Sequence, residues 1–435
     1  MAVSTTVDVK VPKRSGFDKS FQNLFTTKVG TLTPILVDEL IPNSVVNLDA
    51  AISASLPPLA SDTFMRCDLK LEAFFVPTRL LYGGFEDWLT GNEIYNVDYD
   101  MFTGVNLPHA VLGVGDYSNQ DEADEAYDTI YGPGTLLDYL GFKFPKIDVT
   151  STWQNAQQDI LLNIFPLLAY HRIYDDWYRN TQVQTPLFSK PIGVSIVGGQ
   201  YALCNLPYIA EESASQLGFN VDTMFPDGVK LCDLRQRNYG MDYFTTATPN
   251  PQMGSAQEVT FNVTDSEGSF TISALRAANS LQQFAERNAL AGKRLQDYVS
   301  AHYGAKLSSG VAQRSIYLGS ETFTVYSKGV SQTGEVTSST NNPFNSVGAQ
   351  YGRAVSAGEG SLIDHFEVSE PGYLMVLCSL VPKVTYGSGV DRIMTRYGCN
   401  FPVPTEMADP LLQNVGNQPI YGYELNAINE QRTIK

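Results

Sequence analysis

Phe64-Met65-Arg66-Cys67-Asp68-Leu69-Lys70-Leu71-Glu72-Ala73-Phe74-Phe75-Val76 alternates apolar and polar side chains from Cys67 to Ala73. A period of two is the mark of a strand with one buried and one solvated face. The same texture recurs outward in both directions. Thr31 to Leu40 reads as a strand that ends at Pro42, and Val45 to Ile52 alternates with polar residues. Far downstream, Glu321 to Lys328 alternates again. Pro371 to Tyr386 carries the apolar run Tyr373 to Val381, too short to span a bilayer and read as a buried strand. A Ser/Thr/Gly/Asn-rich loop fills 331–350, and no internal repeat is visible.

Between these β-rich ends the period changes. Leu167 to Arg179 reads as a helix, with Pro166 in the first turn, where no amide hydrogen is needed, and Leu168, Ile173 and Trp177 facing inward. From Ala274 to Tyr303, Leu281, Phe284, Ala285, Leu295, Tyr298, Val299 and His302 recur at helical spacing. Ser273 is the expected N-cap. The break at Ala291-Gly292 predicts two helices. Residues 84–178 are acidic, and Asp121, Glu122, Asp124 and Glu125 cluster with Asp116 and Asp128. These acids lack EF-hand spacing and its central Gly, so a solvated surface loop is expected in preference to a cation site. Residues 1–30 are polar and locally basic, with Lys10, Lys13, Arg14, Lys19 and Lys28 against Asp8 and Asp18, and read as an extended arm.

The chain has 435 residues, of which 43% are hydrophobic and only 17% charged. That hydrophobic share supports a substantial core. With abundant Tyr, Phe, Gly and Pro, the profile suits a β-rich protein with many turns and large subunit contacts. The net charge of −17 argues against a simple nucleic-acid binder, because Lys and Arg must replace the counterions of phosphate. Five scattered cysteines, Cys67, Cys204, Cys232, Cys378 and Cys399, form no Cys-x-x-Cys pair and read as reduced thiols filling core. The N-terminal residues show no apolar signal core, so a soluble product of the cytoplasm is expected.

Catalytic signatures are missing. There is no Walker A sequence, no Gly-x-Ser-x-Gly and no His-Glu-x-x-His. His109, His171, His302 and His365 stand far apart and read as core or surface histidines, and no metal or other cofactor is expected. Asp175-Asp176 reads as a solvated face or a salt-bridge partner, since a glycosidase needs two carboxylates facing each other across a cleft.

Several segments resemble the Microviridae major capsid protein family, especially its gokushovirus-like branch. The first is Phe74-Phe75-Val76-Pro77-Thr78-Arg79-Leu80, followed by Glu86-Asp87-Trp88-Leu89-Thr90-Gly91. The second runs from Leu168 to Asn180 through Tyr170, Tyr174, Trp177 and Arg179. The third is Asp242-Tyr243-Phe244-Thr245-Thr246 with Pro249-Asn250-Pro251-Gln252. The fourth joins Leu275-Arg276, Phe284-Ala285-Glu286-Arg287, Gly292-Lys293-Arg294 and His302-Tyr303-Gly304. Gly372-Tyr373, Arg392, Tyr397 and Pro402 follow. These segments keep family order. Thr78 stands where the family has Asn, and Met241 where it has His. The family's long insertion after Pro-x-Pro-Gln is short here, with about twenty residues between Gln252 and Leu275.

The resemblance implies an eight-stranded antiparallel jelly roll, a viral capsid β-sandwich, as one domain over 31–435 behind the 1–30 arm. Its long connections would include the acidic 84–178 region and the helical 274–303 segment. Eight ordinary strands fill only a small part of this length, and neighbouring subunits would cover the long loops. The implied function is a structural one. Sixty copies would form an icosahedral shell around a circular single-stranded DNA genome, with an internal scaffolding protein, a DNA pilot protein and a small basic DNA-binding protein as partners, and with no membrane role. Lys10, Lys13, Arg14 and Lys19 are the expected contacts to DNA or an internal partner. The short connection implies a small or absent protrusion at the threefold axes. The rival reading is a carbohydrate-binding β-sandwich of a phage tail or adhesin, with exposed aromatic rings stacking on sugars.

Overall fold

The computed structural model describes residues 16–57, 66–82, 109–112, 120–143, 160–181, 184–188, 195–197, 200–202, 218–220, 227–240, 242–245, 295–306, 313–331, 350–386, 389–395, 413–415, 418–421 and 432–434. Single positions at 85, 89, 146, 225 and 308, and a scatter between 273 and 287, complete the set. The strands are β1 (Thr33–Leu40), β2 (Val45–Ser55), β3 (Cys67–Pro77), β4 (His109–Leu112), β5 (Ile160–Asn163), β6 (Ser195–Val197), β7 (Gln200–Ala202), β8 (Gly218–Asn220), β9 (Ile316–Ser331), β10 (Gln350–Glu367), β11 (Gly372–Pro382), β12 (Gln413–Val415) and β13 (Arg432–Ile434).

Six of these strands form one antiparallel sheet in the order β1-β11-β3-β9-β10-β2. Strands from the two ends of the chain therefore alternate within it. The strand at 67–77 begins at Cys67, and Phe64 and Met65 lie outside the described residues. β9 is the hinge of the architecture. Its first part pairs with β3, from Phe75↔Ile316 to Cys67↔Val325. Its last part pairs with β10, from Tyr326↔Val355 to Ser331↔Gln350. β10 then continues along β2. The sheet thus curls over, in the mainly antiparallel manner of a β-sandwich jelly roll.

The period-two pattern sorts the side chains into two cores. Leu69, Leu71, Ala73 and Phe75 of β3 join Leu374, Val376, Cys378 and Leu380 of β11, with Phe323, Val325, Leu362 and Ile363, inside the curl. The register places Phe75 against Leu374 and Leu71 against Cys378, so the two sets share one face. Half-buried Val46, Leu48, Ala50, Ile52 and Ala54 of β2 pack on the same cluster. Burial pushes the Cys378 thiol up to about 12, which suits a packing role. Phe74, Val76, Tyr373, Met375 and Leu377 point the other way and meet a helical layer. This explains why alternation in β3 gives way to a wholly apolar end: its last residues are covered on both faces.

The sandwich closes where glycines remove side chains. A Cβ on Gly319 of β9 would lie 2.2 Å from the Leu362 carbonyl of β10. One on Gly358 would lie 2.3 Å from the Phe323 ring, and one on Gly360 2.7 Å from the Glu321 carboxyl. Gly358→Ala must push the Phe323 ring out of the inner core. It is expected to destabilise the subunit by about 1–3 kcal/mol, the usual range for overpacking. A urea unfolding midpoint matching the native chain would remove this account of the glycine.

The described helices are α1 (Gln120–Ala126), α2 (Leu136–Tyr139), α3 (Phe165–Ile173), α4 (Leu295–Tyr303) and the short α5 (Arg392–Thr395) and α6 (Gln418–Tyr421), of which α2 and α3 supply the layer on the β3–β11 face. α1 and α3 each run into a π-helical turn, at Tyr127–Tyr131 and Tyr174–Tyr178. Pro166 occupies the first turn of α3, and the Asn163 side chain accepts the Phe165 amide at 3.0 Å. α3 is buried nearly all round, between the β3–β11 face and the segments above it.

Two expectations are corrected. The acidic stretch expected as a loop is helix α1, anchored because Ala123, Ile130 and Tyr131 are buried. Ser273, expected as an N-cap, is itself helical. Leu281 and Phe284, whose spacing marked the helical pattern, lie on helical positions and are nearly half exposed.

Candidate assembly interface

The second resembling segment, Leu168 to Asn180, is the seam that sews the helical layer to the sheet. Asp176 is buried, and its Oδ2 accepts three hydrogen bonds: Arg172 Nε at 3.1 Å, the Ser315 amide at 2.9 Å and Ser315 Oγ at 2.9 Å. Arg172 Nη2 also donates to the Gln313 carbonyl at 2.6 Å. Trp177 Nε1 donates to Ser315 Oγ at 3.0 Å, and the Arg314 guanidinium lies 3.7 Å from the centroid of the Trp177 ring. The lead-in to β9 is therefore clamped to the π turn. Asp175 accepts from Arg179 Nε at 2.6 Å and from the Leu187 amide at 3.1 Å. Of the two readings of this acid pair, the salt-bridge partner holds and the solvated face does not. Both carboxylates are held by arginines and amides, and they do not face each other across a cleft.

Deeper in the seam, the Tyr170 hydroxyl donates to the Leu32 carbonyl at 2.7 Å and accepts the Arg235 amide at 2.8 Å. Tyr178 donates to Glu72 Oε2 at 2.6 Å, and Arg237 pairs with the same carboxylate and reaches Ser379 Oγ at 3.1 Å. Arg235 donates to His171 Nδ1 at 3.0 Å, so the imidazole carries its proton on Nε2 and donates it to the Leu231 carbonyl at 2.9 Å. The Arg235 guanidinium pairs with Asp227 and lies between the Tyr174 and Phe225 rings. Burial, reinforced by the Arg235 charge, holds the His171 pKa well below its ordinary value of 6.5. An unfolded imidazole takes up a proton as pH falls through that value while the folded one does not. Stability is therefore expected to decline with falling pH from about 6.5. His171→Gln should flatten that part of the stability curve, and an unchanged slope would contradict the assignment.

The other resembling residues are mostly structural. Phe75 is fully buried in the inner core, and Pro77 pairs with Gly372 at the end of β3. Arg79 grips Glu370 with two bonds of 2.5 and 3.2 Å, tying β3 to the turn before β11. Half-buried Phe244 lies edge-on to Tyr386 at 4.6 Å and to Tyr243 at 5.1 Å. Gly304 has φ +68 and ends α4, its amide bonding the Ser300 carbonyl at 3.0 Å. His302 stacks between Phe284 and Tyr298. Arg276 and Arg287 are exposed on helical positions. Lys10, Lys13, Arg14, Trp88, Pro251, Gln252, Glu286 and Arg294 lie outside the described residues. Of the acidic cluster, Asp121 and Glu125 are exposed, and Asp124 accepts from Gln120 at 3.1 Å. Sequence reasoning missed Arg172, Arg235, Arg237 and Glu72, each of which has at least one partner more than sixty residues away in the chain.

The surface offers a different chemistry. Phe17, Phe21, Leu24 and Val29 on the arm, Tyr326 and Val330 on β9, Leu281, Phe284 and Tyr303 on the helical segment, and Ile393 and Met394 on α5 are all exposed. Leu24 is 87% exposed and Met394 80%. These side chains are available to be buried against other macromolecules. The arm runs antiparallel to β1, held by Lys19 to Asp38 at 2.8 Å, the Asn23 amide to the Ile35 carbonyl at 3.0 Å, and Thr27 to Thr33 at 2.7 Å. It lies along the edge of β1, packing Phe25 against the inner core while Phe17, Phe21, Leu24 and Val29 stay exposed. Lys19 is thus already matched by an acid.

Comparison with known proteins agrees with this picture. A family profile described as "Capsid protein (F protein)" matches residues 5–267 and 257–434. "Capsid protein VP1" of Chlamydia phage 1 is 25% identical, over 95% of this chain and 78% of that protein. "Capsid protein VP1" of Bdellovibrio phage phiMH2K is 21% identical, over 95% and 76%. The protein of the same name from Spiroplasma virus 4 is 28% identical, over 90% and 72%.

Proposed function

This chain belongs to the capsid protein (F protein) family of the Microviridae, a structural and not an enzymatic family, and from that premise we propose how it builds a virion. It is the major capsid protein, and its copies associate with one another in the shell. In our reading sixty copies close into an icosahedral particle around circular single-stranded DNA, assembled in the host cytoplasm with an internal scaffolding protein, a DNA pilot protein and a small basic DNA-binding protein. Residues 31–435 act as one jelly-roll domain behind the arm, with 84–178 and 274–303 as its long insertions. The observation that carries this reading is the family match along both halves of the chain. The outward-turned apolar side chains support it, since closed symmetry would bury them between copies. Sedimentation of the protein co-expressed with its scaffold should give a discrete shell species, and a monomer under every condition would overturn the reading.

The basic arm supports an inner position, with Lys10, Lys13 and Arg14 toward DNA or the basic peptide. The short connection after Gln252, about twenty residues before Leu275, supports a low threefold surface. Assembly itself should depend on salt. Subunits of net charge −17 repel over a Debye length of about 8–10 Å at ordinary ionic strength. Screening weakens that repulsion while apolar burial persists. Light scattering of purified subunits without partners should therefore rise with salt or divalent cations, and efficient assembly in low salt would contradict this.

A further inference from the structure

The segment from Ser273 to Lys306 combines local positive charge with exposed rings in an otherwise acidic chain. It carries Arg276, Arg287, Lys293, Arg294 and Lys306 against only Glu286 and Asp297. The described positions from 273 to 287 are helical, and Arg276, Ser280, Phe284 and Arg287 follow one another at spacings of four, four and three. Such spacing lines them along one stripe, with about 16 Å of helix rise between the two arginines. Arg276 and Arg287 are exposed, and Phe284 is nearly half exposed. α4 lies against this helix: the Phe284 ring meets His302 at 4.9 Å, and His302 meets Tyr298 at 4.4 Å. Tyr303, 74% exposed, ends the row. Gln296, which hydrogen-bonds Arg314 at 3.3 Å, ties the pair of helices to the lead-in of β9, so the row stands on a fixed base.

We propose that this basic, aromatic helical pair is a contact surface for single-stranded DNA, with the arginines holding phosphates and Phe284 and Tyr303 stacking on bases. The inference rests on the capsid reading and adds a location for genome contact besides the arm. A nucleic-acid strand presents a phosphate at every residue and a base beside each one, so it can meet spaced arginines and exposed rings together, which diffuse acidity on a second copy of the chain does not. A single strand has unpaired bases free to stack, and aromatic rings accept any base, as packaging of a whole genome requires.

The test uses the soluble full-length subunit and an oligothymidylate of about 15 residues, followed by fluorescence anisotropy across a salt series. The double variant Arg276→Glu/Arg287→Glu should weaken binding at least tenfold and lower the slope of log affinity against log salt by about two. Phe284→Ala should weaken binding about fivefold or more while leaving the slope unchanged. The melting curve of the double variant should match the native chain, since both arginines are exposed, and Phe284→Ala, which loses its contact with His302, should still melt cooperatively, so that folded proteins are compared. In DNA-filled particles, ultraviolet crosslinks should map to residues 273–306. Native-like oligonucleotide binding by both variants would overturn the proposal. So would filled, closed shells without crosslinks in this segment, an outcome that leaves the shell reading intact. Variants that bind DNA normally but no longer form shells would identify the surface as a subunit contact instead. Failure of any shell to form would count against the capsid reading, and the anisotropy series would still decide this one.

Discussion

Asp176→Ala should destabilise the subunit by about 3–5 kcal/mol, the range found when one partner of a buried ion pair is removed. The carboxylate satisfies Arg172 and both donors of Ser315 at once, with both residues buried. Alanine leaves the guanidinium charged and dry, and leaves the Ser315 amide without an acceptor. Because Ser315 stands directly before β9, the loss is felt where that strand enters the sheet. Asp176→Asn should be milder, since an amide oxygen can still accept. Urea unfolding of the soluble subunit measures this. A shift under about 1 kcal/mol for Asp176→Ala would show that the clamp is not needed.

Phe75→Ala is expected to remove a similar amount, about 3–5 kcal/mol, by a different route. Phe75 is fully buried inside the curl, with its ring 5.2 Å from that of Phe366. Its ring also fills the space that a Cβ on Gly372 would need. Truncation leaves a cavity between two sheets that cannot collapse without breaking strand register. Phe75→Leu should cost about 1–1.5 kcal/mol, because most of the volume remains. Tyr326→Ser makes the useful contrast. That ring is 65% exposed, so stability should change by less than about 0.5 kcal/mol while assembly suffers.

The strands around β3 and β11 were legible because their side chains alternate or run wholly apolar, and burial on one or two faces is what those patterns encode. β10 was not singled out, although it is the longest described strand of the sheet. Its sequence, Gln350 to Glu367, is broken by Gly352, Gly358 and Gly360. Two of these glycines exist to let Phe323 and Glu321 approach, and a strand chosen for close approach loses the apolar rhythm that identifies strands. The helix at Phe165 was legible from Pro166 and its spacing, but its burial all round was not, because that depends on Arg235 and Ser315 arriving from elsewhere. Local periodicity likewise cannot tell a side chain that faces its own core from one awaiting a neighbour. Leu281 and Phe284 have the pattern of buried residues and lie on the surface.

Electron microscopy of the particle formed with its scaffold and DNA tests the central claim most directly. The account predicts a closed isometric shell of sixty subunits, in which Phe21, Tyr326 and Met394 are covered by neighbouring molecules and the threefold axes carry no tall protrusion. Isolated subunits, or open aggregates that leave these side chains in solvent, would contradict it.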